Sequence, residues 1–180
     1  RSRKITDVFY SGDDIIELLR RSQRPVLIYK HLETNECLAD SPFARTLLAV
    51  DWSPASRRAV EYLKKLKNVV SEVSLIHVAS PSELKGASNM DIQKVRKEKR
   101  GRLEEICEDL DSVGISARSH LYVGDPVKEI ERAARECYAT MILMGASGTS
   151  SFTERWLGST PRAIVEKSGY PVLVIPRIDS

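Results

Sequence analysis

From residue 45 onward, apolar positions alternate between a strand rhythm and a helix rhythm. Residues 45–50, RTLLAV, form a short apolar run that predicts a buried strand ending at Asp51. Ser53 and Pro54 follow as an N-cap and a first-turn proline. Ala55, Ala59, Leu63 and Leu66 then share one helical face to about Lys67. Residues 72–79, EVSLIHVA, predict a second strand, and the polar stretch SPSELKGASN a loop. Ile92, Val95, Leu103, Ile106, Leu110 and Val113 line one side of a helix over 90–113, closed by Gly114 as a C-cap. Residues 115–122 predict a third strand. Gly124-Asp125-Pro126 repeats the cap-then-proline signal, and its helix runs to about Tyr138. Strand 139–144, a glycine-rich loop, helix 160–168 and strand 171–176 complete the pattern.

Strands alternating with helices predict right-handed βαβ crossovers, hence an α/β domain with an open, doubly wound parallel sheet of five strands and helices on both faces. In such sheets a ligand lies beyond the carboxyl ends of the strands, where the strand order reverses.

The chemistry concentrates after the strand that ends at Met144. Gly145 follows directly, then Gly148 and Gly158, and Ser159-Thr160-Pro161 opens a helix. Glycine lets backbone N–H groups come close to a ligand. The start of a helix adds unpaired donors and the positive end of its dipole. With the hydroxyls of Ser159 and Thr160, this makes an anion site suited to a di- or triphosphate. The plainer alternative is a loop whose glycines only satisfy turn geometry. The spacing is neither that of a P-loop, which needs a lysine after the second glycine, nor Gly-x-Gly-x-x-Gly.

Three glycines at this spacing, the Ser-Thr that follows and the closing PVLVIP strand resemble the nucleotide-binding members of the universal stress protein family, over about residues 45–177. The resemblance implies the strand order 3-2-1-4-5 of the adenine-nucleotide alpha-hydrolase-like fold, so that Asp51 and Gly145 open into one crevice. It implies ATP, ADP or AMP as ligand, with Mg2+ bridging phosphate oxygens and water rather than held by the protein. It also implies a regulatory role with slow or no hydrolysis. By the same resemblance, Asp51 contacts the nucleoside, Ala49 stands where relatives often carry a proline lining the adenine, and Val78 touches the base. Met144 and Gly145 border base and ribose, Ser147 and Gly148 meet the phosphates, and Gly158, Ser159 and Thr160 close around them. Asp51 has an alternative role as a turn or capping residue, and Val78 as plain core. Many relatives carry histidine where this chain has Ser147; one hydrogen bond to a charged group is worth about 1.5–3 kcal/mol, so its loss weakens binding about 10- to 150-fold. Within the loop, Phe152 and Trp156 read as anchors on the domain or as contacts for a partner, and Arg155 reads first as a solvated side chain and second as one that reaches the phosphates.

The segment GDDIIELLRRSQRPVLIYK, residues 12–30, aligns without a gap on GSTPRAIVEKSGYPVLVIP, residues 158–176. Residues 1–30 therefore read as the last helix and strand of a preceding copy, truncated or degenerate, with 31–44 as linker and 45–177 as the domain. A chance likeness of two amphipathic helix-strand pairs is the alternative. Asp13-Asp14 replace Ser159-Thr160 and would repel phosphate, so no nucleotide is expected there. Strand 171–176 would be an exposed edge, which proteins normally pair or cover. Relatives pair it antiparallel with the same strand of a second domain. Residues 25–30 offer that partner within the chain, and a second chain offers it in a homodimer.

The chain of 180 residues is 42% hydrophobic and 29% charged with a net charge of +3, an ordinary globular balance that does not favour nucleic acid. The run KVRKEKRGR, 94–102, reads first as a solvated helix face and second as a surface for nucleic acid or an acidic partner; no aromatic residue interleaves with it, which counts against single-strand binding. No apolar run reaches the roughly 18 residues of a membrane span, and no signal peptide is visible, although the chain opens on Arg1. Cys37, Cys107 and Cys137 form no CxxC pair and, with His31, His77 and His120, no zinc spacing. They read as unpaired thiols, with Cys107 and Cys137 buried on helix faces, which fits a reducing cytoplasm. His77 reads as a structural histidine. There is no general base aimed at a γ-phosphate, no lysine clamp and no synthetase signature in DWSPAS, so catalysis is at most a weak ATPase. An interaction or dimerisation module without nucleotide is the alternative, and an ATP-using enzyme the remoter one.

Overall fold

The computed structural model describes residues 12–29, 41–84, 86, 88–146 and 157–176. In chain order these form α1 (Gly12–Arg21), β1 (Val26–Ile28), β2 (Arg45–Ala49), α2 (Pro54–Lys65), β3 (Glu72–Ala79), a 3-10 turn (Pro81–Leu84), α3 (Asn89–Ser112), β4 (Ser116–Val123), α4 (Pro126–Glu136), β5 (Met141–Gly145), α5 (Ser159–Lys167) and β6 (Val172–Ile175). The predicted cap signals act as such. The Ser53 hydroxyl accepts from the Ser56 N–H at 3.1 Å, and Asp125 from the Lys128 N–H at 3.0 Å, each with proline opening the first turn. Gly114 takes a left-handed φ of 89° just past the C-cap Val113, the conformation that ends a helix at least cost to glycine. The helix expected to reach Tyr138 stops at Glu136, because Tyr138 itself turns left-handed at φ 50°.

The sheet order is β1-β6-β5-β2-β3-β4. From β2 to β6 all pairings are parallel, and β4-β3-β2-β5-β6 is the expected 3-2-1-4-5 order. The sheet differs from a five-stranded parallel one by its sixth strand: β1 pairs antiparallel with β6. The side chains of β6 are all buried, so its outer edge would otherwise present unpaired backbone beside a dry core.

Alternate strand residues feed two cores, as a period of two requires. Leu47, Ile76, Ile142 and Met144 pack with Ile16 and Leu19 of α1, Ile130 of α4 and Ile164 of α5. Leu48, Leu75, Leu143 and Leu173 pack with Ala59 and Leu63 of α2 and Leu103 and Leu110 of α3. Of the α3 stripe only Leu103 and Leu110 are buried, while Ile92, Val95, Ile106 and Val113 are half-buried. Cys107 and Cys137 are free but half-buried rather than buried; Cys137 caps the end of α4 with its Sγ 3.9 Å from His120 Nε2. Cys37 and His31 lie outside the described residues. No helix among the described residues is long and apolar enough to cross a membrane.

Candidate functional site

The carboxyl ends of β2, β3 and β5 stand side by side, with Ala49 opposite both Ile76 and Met144. Ala49, Val78 and Met144 pack on the same core cluster, on the α4–α5 side of the sheet. Beyond β2 the chain turns sharply. The Asp51 carboxylate accepts from the Ser53 N–H at 3.0 Å, and the Asp51 N–H donates to the Ser56 hydroxyl at 3.3 Å. One carboxylate oxygen thus serves the turn, which realises part of the alternative role weighed for Asp51.

Gly145 ends β5 against the first turn of α2: a Cβ there would stand 2.7 Å from the Ala55 carbonyl carbon and the Ser56 nitrogen. Glycine is required at this position by packing. The Gly158 N–H donates to the Ala146 carbonyl at 2.9 Å, and the Ala146 N–H to the Ile175 carbonyl at 2.8 Å. These two bonds bring the N-terminus of α5 to the ends of β5 and β6. Gly158 caps that helix without any side-chain hydrogen bond, whereas α2, α3 and α4 are capped by Ser53, Ser88 and Asp125. Ser159 is exposed and Thr160 half-buried at this open end. Ser147 and Gly148, with Phe152, Arg155 and Trp156, lie outside the described residues.

His77 is the residue whose role the sequence understated. It is buried, and its Nδ1 donates to the Val50 carbonyl at 2.7 Å. Lys99 of α3 donates to His77 Nε2 at 2.9 Å and to Glu83 Oε2 at 2.6 Å. Burial, and then the Lys99 charge, hold the imidazole below its ordinary pKa and keep it neutral. Trp52, at a left-handed φ of 65°, lies with its ring 5.0 Å from His77 and 4.1 Å under the Arg102 guanidinium. Lys99 and Arg102 belong to the basic run read as a solvated face. Their three-residue spacing, which puts both on one side of α3, was the available signal.

A mostly parallel sheet in this order, with Gly145 and the start of α5 at its switch point, defines a doubly wound α/β domain. The universal stress protein family profile matches residues 42–176, and the chain belongs to that family. It is 27% identical over 158 residues to universal stress protein MJ0577 of Methanocaldococcus jannaschii, covering 77% of this chain and 98% of that protein. The solved structure of MJ0577 superposes with a TM-score of 0.71 at 30% identity, covering 77% of this chain and 99% of that one. A universal stress protein from Archaeoglobus fulgidus superposes with a TM-score of 0.66 at 32% identity, covering 91% of this chain and 54% of that one. Two more distant structures share the fold. One is a universal stress protein in complex with cAMP, at 23% identity and a TM-score of 0.57; the other, from Arabidopsis thaliana with AMP bound, is at 20% and 0.53.

Proposed function

We propose that this protein binds an adenine nucleotide, ATP in the first instance, in the crevice between Asp51 and the start of α5, and works as a nucleotide-dependent regulatory module. The N-terminus of α5, fixed at the end of β5 by the Gly158 N–H and capped by no side chain among the described residues, carries this reading. Unpaired helix-start donors beside a glycine turn are suited to phosphate. In this arrangement Ala49, Val78 and Met144 line the base, Gly145 borders base and ribose, Asp51 takes the ribose hydroxyls with its remaining oxygen, and Ser147 and Gly148 would meet the phosphates. Gly158 and the hydroxyls of Ser159 and Thr160 hold the phosphates. The cAMP and AMP bound by the two distant neighbours support the adenine assignment. Mg2+ would bridge phosphate oxygens and water, with little direct protein ligation. Both His77 nitrogens are engaged, which favours slow or no hydrolysis over catalysis. Calorimetric titration of Mg-ATP into the wild type and Asp51→Ala tests the assignment. Single-site binding that weakens about tenfold or more in the variant is expected; equal binding by both proteins contradicts the role of Asp51.

A second inference concerns α1 and β1. We infer that they are the tail of a preceding copy of the same domain. Ser22 and Ser168 align in the repeat and make the same turn, each hydroxyl accepting at 3.1 Å from the N–H two residues on. Leu18, Leu27 and Tyr29 are 55%, 43% and 44% exposed, although they align with Ile164, Leu173 and Ile175, which are 0%, 5% and 1% exposed. These three are core positions without their core, to be covered by the body of another copy in the same chain or a second one. In sedimentation velocity the 180-residue chain is expected to associate reversibly, and Leu18→Arg/Leu27→Arg to abolish this. A chain that stays monomeric at all concentrations contradicts the inference.

A further inference from the structure

The two ends of the sheet are finished differently. β1 covers β6, whereas β4 is outermost at the other end, and no described strand pairs with its outer side. Successive residues of a strand turn their main-chain groups to opposite neighbours. The Gly124 N–H, just past β4, turns inward to the Ala79 carbonyl at 3.1 Å. The Ala117 N–H turns outward and donates to Asp111 Oδ1 of α3 at 3.1 Å. By the same parity the main-chain groups of Ser119, Leu121 and Val123 face outward. Asp111 therefore blunts the beginning of this edge and leaves its second half open.

A groove of about 390 Å³ lies along that open half, with Leu121 and Val123 in its lining. Arg96 and Arg100, four residues apart on α3, flank it on one face of the sheet, and Arg132 of α4 on the other. Arg132 is fixed by Glu136 at 2.8 Å and Glu129 at 3.5 Å, and lies 5.5 Å over the Tyr122 ring. Glu129, the carboxylate in the lining, thus shares Arg132 with Glu136. Arg96 and Arg100 form no ion pair with a carboxylate among the described residues. The α3 side of the groove is consequently cationic, while the α4 side offers an aromatic face and an ion-pair network of Arg132 with Glu129 and Glu136.

We propose that the open half of β4 accepts an extended segment of a partner protein, added as one further strand, in which acidic and apolar residues alternate. An added strand supplies the missing hydrogen bonds to Ser119, Leu121 and Val123. Its alternate side chains point to opposite faces, so acidic residues meet Arg96 and Arg100 while apolar ones lie on Tyr122. The basic run of α3 then has a partner of matching charge. The proposal does not depend on nucleotide binding.

The test uses a fluorescein-labelled octapeptide of alternating Glu and Val, with fluorescence anisotropy as readout on the full chain. Saturable binding is expected, at least tenfold tighter than that of the Lys–Val counterpart and at least tenfold weaker in Arg96→Glu/Arg100→Glu, whose fold is verified by circular dichroism. A proline at the centre of the Glu–Val peptide removes a donor and is expected to cost at least tenfold, and amide exchange at Ser119, Leu121 and Val123 is expected to slow on binding. Equal affinity for the Lys–Val peptide, or no loss in the arginine variant, would overturn the proposal and leave the arginines as guards of the edge. Equal binding of the proline peptide, or unchanged amide exchange, would show charge attraction without strand addition and would overturn it as well.

Discussion

Leu27 and Leu173 align with each other when residues 12–30 are laid on 158–176, and they stand directly opposite each other across β1 and β6. Their neighbours obey the same symmetry. Val26 aligns with Val172 and pairs with Val174, while Ile28 aligns with Val174 and pairs with Val172. A register that maps the alignment onto itself has a local two-fold axis through the leucine pair, as in an isologous contact between two copies of one surface. A chance likeness of two amphipathic segments would not have to meet this condition.

Removal of residues 1–40 therefore uncovers the outer edge of β6. The shortened protein is expected to associate or aggregate through that edge, seen as a shift in mass by light scattering after gel filtration. A well-behaved monomer would show that β1 does not protect β6.

Gly145 tests the packing of β5 on α2. With backbone atoms 2.7 Å from the position of a Cβ, Gly145→Ala must push the helix away. Overpacking in a dense core costs about 1–3 kcal/mol, so the urea midpoint is expected to fall accordingly. An unchanged midpoint would mean that α2 shifts freely.

The start of α5, where Ser159 and Thr160 stand, was legible because hydrophobic rhythm, caps and glycine spacing are local signals. The strand order followed from the family pattern, and β1 from the likeness of residues 12–30 to 158–176. The His77–Lys99–Glu83 chain was not legible: its members come from β3, the following turn and α3, and meet only when the sheet and α3 pack together. The packing of Gly145 on α2 was hidden for the same reason, since Gly145 and Ala55 are distant in sequence.

His77 sets a pH dependence. Burial lowers its folded-state pKa below the ordinary value of 6.5, so the unfolded chain binds the proton more readily. Stability from this group is full above about pH 6.5 and declines as the pH falls from there toward the lowered folded value. Urea midpoints between pH 7.5 and 5.5 are expected to fall further in the wild type than in His77→Gln. Parallel pH profiles would remove His77 as the cause.

Tyr138 is 77% exposed and holds a left-handed φ of 50° past the end of α4. Its carbonyl accepts from Arg45 Nε at 2.7 Å, a main-chain contact that any residue there preserves. Replacement by glycine relieves a conformation that costs an L-residue about 1–2 kcal/mol, partly offset by glycine's greater chain entropy. Tyr138→Gly is expected to stabilise the protein by about 0.5–1 kcal/mol in chemical denaturation, and a destabilised variant would point to an unrecognised role for the ring.

The two aligned segments, 12–30 and 158–176, supply the most direct test of nucleotide binding. Where Gly158 precedes Ser159-Thr160 at the start of α5, Gly12 precedes Asp13-Asp14 at the start of α1. Ser159→Asp/Thr160→Asp carries the acidic start onto α5. Acidic residues suit a helix start, so the melting temperature is expected to hold while phosphate is repelled. Titration calorimetry of Mg-ATP is expected to show micromolar binding to the wild type and a loss of about 100-fold or more in the double variant. Undiminished binding by the variant, or none by the folded wild type, would contradict the assignment of the α5 start as the phosphate site.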